Sequence, residues 1–205
     1  MRLKVLVLLG IVAVAPSAYA QNTPKTAVST NTVSATLAVK ATLAKAVQLT
    51  LNTGSGCTVS NGGGGDFSLD FGTVDALGIS TGCAGAGAGK FTGTNQAIYY
   101  SDYTITPAFT NQGTTTGSTL SAYVSSAFGQ SGFSIVQTNS APSAFGDFTA
   151  MSTASGAQTD VKGGSTITSA TALTRYVGVK VDGSNANAAS GSSSTAVVTY
   201  TLTIQ

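Results

Sequence analysis

Residues 33–51 read VSATLAVKATLAKAVQLTL, and every odd position from Val33 to Leu51 is apolar except Lys45. The even positions are mostly Ser, Thr, Lys or Gln. A period of two marks a strand with one buried face. Nineteen residues of it is about three times the usual strand length of 5–6. Lys45 suggests where to divide the run. A lysine facing a core is costly unless its amine snorkels out, and at a joint it lies at the margin of both strands. The pattern therefore predicts two strands in tandem: one within residues 33–43, and one over 46–56 that opens the domain proper. One long strand of a large sheet is the alternative.

Further apolar runs follow. FSLDFGTV (67–74) puts Phe67, Leu69 and Phe71 on one face. Strands are then predicted in 97–109, 118–128, 132–137, 165–172, 173–183 and 195–205; in the last, Val198, Tyr200, Leu202 and Ile204 share a face. NGGGG (61–65) and AGAGAG (84–89) read as flexible loops, and 21–32 as a polar leader. No stretch of the chain after residue 20 has a helical pattern. Thr and the β-branched residues favour strands, and Gly/Ser clusters punctuate them. Short strands at these intervals predict an all-β sandwich.

The N-terminus reads as an export signal. Arg2 and Lys4 precede an apolar run, Val5 to Ala15, which is shorter than the roughly 20 residues needed to span a bilayer. Ala18-Tyr19-Ala20 follows as a small-x-small cleavage site. The expected organisation is a signal peptide at 1–20, an extension carrying a strand at 21–45, and a sandwich at 46–205.

Charge and composition narrow the chemistry. Cleavage after Ala20 leaves 185 of the 205 residues, with seven basic side chains against seven Asp. That balance offers no basic patch for nucleic acid and no charge run for anionic lipid. The chain has no His and no Glu, which removes His-based triads and His-ligated metal sites. Cys57 and Cys83 in an exported chain predict a disulfide. Two free catalytic thiols are the rival, disfavoured by the absence of His and of C-x-x-C spacing. Loop-like flanks leave open whether the bridge joins strands or staples a loop.

Three motifs invite chemistry. GAGAGK (85–90) lacks the first Gly and the final Ser/Thr of a phosphate loop. NGGGGDFSL (61–69) departs from the Ca²⁺-binding nonapeptide at Asn61 and Ser68, and one copy cannot stack. Asp66, Asp70 and Asp75 form no pair that marks acid–base work. No catalytic residues, metal or cofactor are expected, and the chain is read as a non-enzyme. Tyr99, Tyr100 and Tyr103 read as a half-buried strand face, with a ligand face as the alternative.

QLTLNTGSGCTVSNGGGGDFSLDFGTV (48–74) resembles the opening of archaic chaperone–usher pilins, the spore coat protein U group. Cys57-Thr58-Val59 and Leu69-Asp70-Phe71-Gly72 carry the resemblance, together with TAVVTYTLTIQ at the end (195–205). The resemblance implies an immunoglobulin-like sandwich lacking its last strand, completed by the leader of a neighbouring subunit. Val33, Ala35, Leu37, Val39, Ala41 and Leu43 would then be the donor strand. The implied function is a structural subunit of an extracellular pilus or surface fibre, with a role in adhesion or biofilm formation. The implied partners are copies of itself or related pilin subunits, a periplasmic chaperone and an outer-membrane usher. It would pass through the periplasm to the cell surface. The alternative is a secreted monomeric sandwich, or tip adhesin, that recognises a glycan or surface through its Tyr-bearing face.

Overall fold

The computed structural model describes residues 40–41, 46–57, 67–110, 118–162, 167–185 and 193–204. The chain divides into two units, residues 1–42 and 43–205. In the first, only Lys40 and Ala41 are described, both exposed and outside any strand. The export signal and its cleavage site lie outside the described residues. No helix among the described residues is long and apolar enough to cross a membrane.

The second unit is an all-β sandwich. Its strands are β1 (Ala46–Thr53), β2 (Ala88–Gly93), β3 (Gln96–Thr110), β4 (Thr119–Ser126), β5 (Phe133–Thr138), β6 (Thr149–Ala150), β7 (Thr159–Lys162), β8 (Leu173–Asp182) and β9 (Val197–Thr203). One sheet runs β1-β3-β8-β5-β6, with β2 also paired to β3; the other runs β7-β4-β9. Every pairing is antiparallel. β3 is long enough to hold two partners end to end along one edge: β1 on residues 103–110 and β2 on 96–101.

The alternation read from the sequence places the core. Ala97, Tyr99, Tyr103 and Ile105 of β3 face inward, with Val177, Val179 and Val181 of β8 beside them. Leu120, Ala122 and Val124 of β4 meet them from the other sheet, all buried. Gln137 of β5 also faces in, and its Nε2 donates to the Asp160 carbonyl of β7 at 3.0 Å, which ties the amide nitrogen across the sheets while its Oε1 has no partner among the described residues.

Three local expectations are corrected. Of the 84–89 run read as flexible loop, 84–87 are turn and coil, but Ala88 and Gly89 begin strand β2. Pairing with β3 sets Gly89 opposite Tyr100, where a Cβ would lie 2.5 Å from the phenol oxygen. The missing side chain is what lets Tyr100 lie across the strand and stack on Phe91 at 5.4 Å. Residues 67–74 form no strand beyond a single bridge at Asp70, although Phe67, Leu69 and Phe71 do pack together on the core. Within 165–172, the described residues 167–172 are coil and turn; Ile167 is buried as an anchor, and Ala170 N–H caps the Pro107 carbonyl at 2.7 Å.

A further layer covers the outer face of the larger sheet. Ile98 and Val136 point away from the core yet are buried, flanking Gly178. Phe91, Tyr100, Phe148 and Tyr176 cluster on this face at 5.4–6.3 Å. Phe148 follows a 3-10 turn at Phe145–Asp147. Asp147 Oδ2 fixes the turn by accepting from Ser143 N–H, Ser143 Oγ and Ala144 N–H.

Candidate functional site

The side of the sandwich between β1 and β9 is the candidate site. Tyr200 of β9 contacts Tyr103 of β3, while Arg175 of β8 and Gln137 of β5 both donate to β7. β9 therefore lies over the β3 side and β7 over the β8–β5 side. β1 and β9 are each paired to one strand only among the described strands. Their unpaired edges fall on the same side of the sandwich.

The inward side chains of these two edges are incompletely covered. Leu49 and Leu51 sit opposite the buried Pro107 and Ile105. Val198, Tyr200 and Leu202 sit opposite the buried Val124, Ala122 and Leu120. All five edge residues pack on the core but are only half-buried. Val47 and Val197, at the strand starts, are 53% and 50% exposed. An inward apolar residue left half-exposed beside a buried neighbour lacks lateral cover, and an open edge is a template for another strand.

The floor of this side is polar at one point. Tyr200 Oη donates to Tyr103 Oη at 2.9 Å, with the rings 5.9 Å apart. Burial pushes the Tyr103 phenol up to about 12, against opposing effects of the Tyr200 bond and nearby Arg175. Burial likewise holds Tyr200 well above its ordinary value. Both are neutral at any physiological pH.

β1 is clamped where it ends. Cys57 is bonded to Cys83, with Cα atoms 5.1 Å apart. Neither cysteine is in a strand, so the bridge staples the segment after β1 to the loop before β2. Cys57 N–H donates to Ser101 Oγ at 2.8 Å. Ser55 donates from N and Oγ to Asp102 Oδ2 at 3.0 and 3.2 Å. Asp102 N–H donates to the Gly87 carbonyl at 2.9 Å, filling the gap between β1 and β2 along β3. A Cβ on Gly54 or Gly87 would lie 2.2 or 2.1 Å from this carboxylate, so only glycine permits the approach.

Asp75 organises the loop from 75 to 80. Its Oδ1 accepts from Leu77 N–H at 2.8 Å and Ile79 N–H at 3.1 Å, and its Oδ2 accepts from Ser80 N–H and from Tyr99 Oη. Burial alone would raise this carboxyl, but the bonds from Ser80, Ile79 and Leu77 outweigh it and hold it well below the usual range. Lys90 Nζ donates to the Gly78 and Ser80 carbonyls at 2.6 and 2.8 Å. The Lys of GAGAGK thus holds loop carbonyls.

The tyrosines divide. Of Tyr99, Tyr100 and Tyr103, the first and last face the core and Tyr100 joins the outer aromatic cluster with Tyr176. Among the described residues, no three His, Cys, Asp or Glu side chains gather as a metal site. Asp66, Val33, Ala35, Leu37, Val39 and Leu43 lie outside the described residues, and Ala41 is exposed coil. The expectations missed Asp102, Gly54 and Gly87. Ser-Asp-Tyr within a strand, and isolated glycines either side of it, carry no local signal of their meeting.

The chain matches no family model, and no curated protein or solved structure is significantly similar to it.

Proposed function

We propose that this protein is a structural subunit of an extracellular fibre, polymerised by strand donation in the manner of the archaic chaperone–usher pilins it resembles. The observation that carries the reading is the pair of edges, β1 and β9, left unpaired among the described strands on one side of the sandwich, with half-buried inward leucines, valine and tyrosine. The same chain carries an alternating apolar segment at 33–43 that β1 does not include. Inserted between the two edges of the next subunit, Val33, Ala35, Leu37, Val39, Ala41 and Leu43 would bury apolar surface worth on the order of 8–12 kcal/mol. They would also pair the open edges. The contact is heterologous, so it propagates head to tail. A periplasmic chaperone that occupies the same cleft, and an outer-membrane usher, are the partners this route requires.

The alternative, a monomeric module binding a glycan through a tyrosine face, has less support. Tyr99 and Tyr103 turn inward, and their hydroxyls are engaged with Asp75 and Tyr200.

The deciding measurement is a denaturing gel of native surface material with and without boiling. A ladder that collapses to one band of mature size on heating is the expected result, because strand exchange is kinetically trapped. Leu37→Lys, which puts a charge into the buried seam, should abolish the ladder while the domain still folds. A single monomer band in both lanes would overturn the reading.

A further inference from the structure

β1 is one stretch of a longer run written in a single phase. Every odd residue from Val33 to Leu51 is apolar except Lys45, and β1 begins only at Ala46. Positions 47, 49, 51 and 53 stand opposite Phe109, Pro107, Ile105 and Tyr103 of β3, and the last three of these are under 2% exposed. Side chains alternate with a period of two, so sliding the run along β3 by an even number of residues keeps its apolar face inward. Alternation selects the face of β1; it does not select the register.

The clamp at the end of β1 does not select it either. Ser55 is held by Asp102, and Cys57 by Ser101 and Cys83. Residues between β1 and the clamp could loop out, because closure entropy rises slowly with loop length. Only the shortest slip, of two residues, is stopped there. Its extra residues must fit beside Gly54, which is packed on Asp102 with no space for a Cβ.

Lys45 distinguishes the longer slips. Slips of four, six or eight residues would move it to the places of Leu49, Leu51 and Thr53, opposite the buried Pro107, Ile105 and Tyr103. A lysine there loses hydration of its amine, partly recovered by snorkelling through the open edge. A slip of ten carries Lys45 past this row, but sets Ala41 in place of Leu51 opposite Ile105. That forfeits the packing a leucine gives over an alanine. Were residue 45 apolar, a slip of four would set Leu43, residue 45, Val47 and Leu49 where Val47, Leu49, Leu51 and Thr53 now stand. Nothing in that strand would oppose burial.

We propose that Lys45 fixes the register of β1 on β3, by keeping off the core face the in-phase slips that the rest of the run allows. A charge on an otherwise apolar face makes one register the favoured one. The lock acts within one molecule and needs no fibre. One consequence rests on the fibre reading: a slip of four draws Leu43 onto its own sheet and shortens the segment left to donate.

The test is disulfide trapping in the full processed chain, on monomer free of boiling-sensitive polymer. Thr106→Cys on β3 is combined in turn with Thr50→Cys, which stands opposite it, and with Gln48→Cys, Ala46→Cys, Ala44→Cys or Thr42→Cys, which reach it only after slips of two, four, six and eight. Peptide mapping under non-reducing conditions reads each new bridge beside Cys57–Cys83. With Lys45 present, only Thr50→Cys is expected to bridge. In Lys45→Leu, Ala46→Cys should bridge at least about tenfold faster than with Lys45. Lys45→Arg, which keeps the charge, should behave as wild type. Lys45→Thr serves if Lys45→Leu fails to melt cooperatively. Ready bridging at the four slipped positions with Lys45 in place, no gain on removing the charge, or a Lys45→Arg that slips like Lys45→Leu would each overturn the proposal. The boiling-sensitive ladder is read separately. Its absence from wild type overturns the fibre reading and leaves the register result standing. A ladder that Lys45→Leu does not thin, beside slipped bridges, overturns only the link to donation.

Discussion

Tyr200 of the last strand donates its hydroxyl to the hydroxyl of Tyr103, 97 residues earlier, at 2.9 Å. The bond ties the smaller sheet to the larger one beside the open side of the sandwich. It pins β9, whose other edge is unpaired among the described strands.

Tyr103→Phe removes the acceptor and leaves the Tyr200 O–H without its partner. An unsatisfied buried donor costs about 1–3 kcal/mol, and urea unfolding should show a loss of that size. The alkaline limb tests the same pair. Tyr103 is raised from 10.0 to about 12 in the folded state, so its contribution is complete below pH 10 and is lost as pH rises through 12. Tyr103→Phe should flatten the fall in stability over that window; an unchanged slope would contradict the assignment.

Asp75 has the opposite sign. Its folded value lies below the unfolded 3.8, so its stabilisation is complete above that value and erodes as pH falls below it. Asp75→Asn should lower stability by about 1–2 kcal/mol at neutral pH. The gap from wild type should narrow between pH 4 and 2. Hydrogen exchange at the Leu77, Ile79 and Ser80 amides should quicken in the variant.

Gly87→Ala drives a methyl into Asp102. Overpacking of this kind costs about 1–3 kcal/mol. Trimming the carboxylate makes room, so Gly87→Ala combined with Asp102→Ala should lose less than the sum of the single changes. A double-mutant cycle with no coupling would mean the methyl is accommodated elsewhere.

Breaking the Cys57–Cys83 bridge with Cys57→Ala/Cys83→Ala frees a loop whose ends are 26 positions apart. The chain-entropy estimate for that closure is about 3.5 kcal/mol. Ser101 Oγ still receives the residue 57 N–H, so β1 should remain paired to β3, and the loss should register as a lower denaturation midpoint with unchanged strand content.

Phe148→Ala uncovers the outer face of the larger sheet. Phe148 is half-buried against Phe91 and Tyr100. A loss of about 2–3 kcal/mol is expected, below the range for a fully buried Phe. The near-ultraviolet circular dichroism of Tyr100 and Tyr176 should diminish with it.

Much of this fold is legible along the chain. Short apolar runs between turn signals placed β3, β4, β5, β8 and β9, and in β9 the alternation set Val198, Tyr200 and Leu202 on the inward face, because burial of one face imposes a period of two whatever the partner strand. β1 is described from Ala46, and Lys45, where the pattern was divided, lies outside the described residues. Two cysteines, beside an N-terminus read as an export signal, pointed to the disulfide. Tertiary structure alone decided the rest. Ala88 and Gly89, the end of the run read as loop, became strand because β3 offered a vacant edge and Tyr100 needed the space above Gly89. Phe67, Leu69 and Phe71 reached the core without a ladder, and 145–148 folded over an outer face that local pattern assigns to solvent. Periodicity reports that a face is covered. What covers it, and which glycines must stand aside, depends on contacts between residues tens of positions apart.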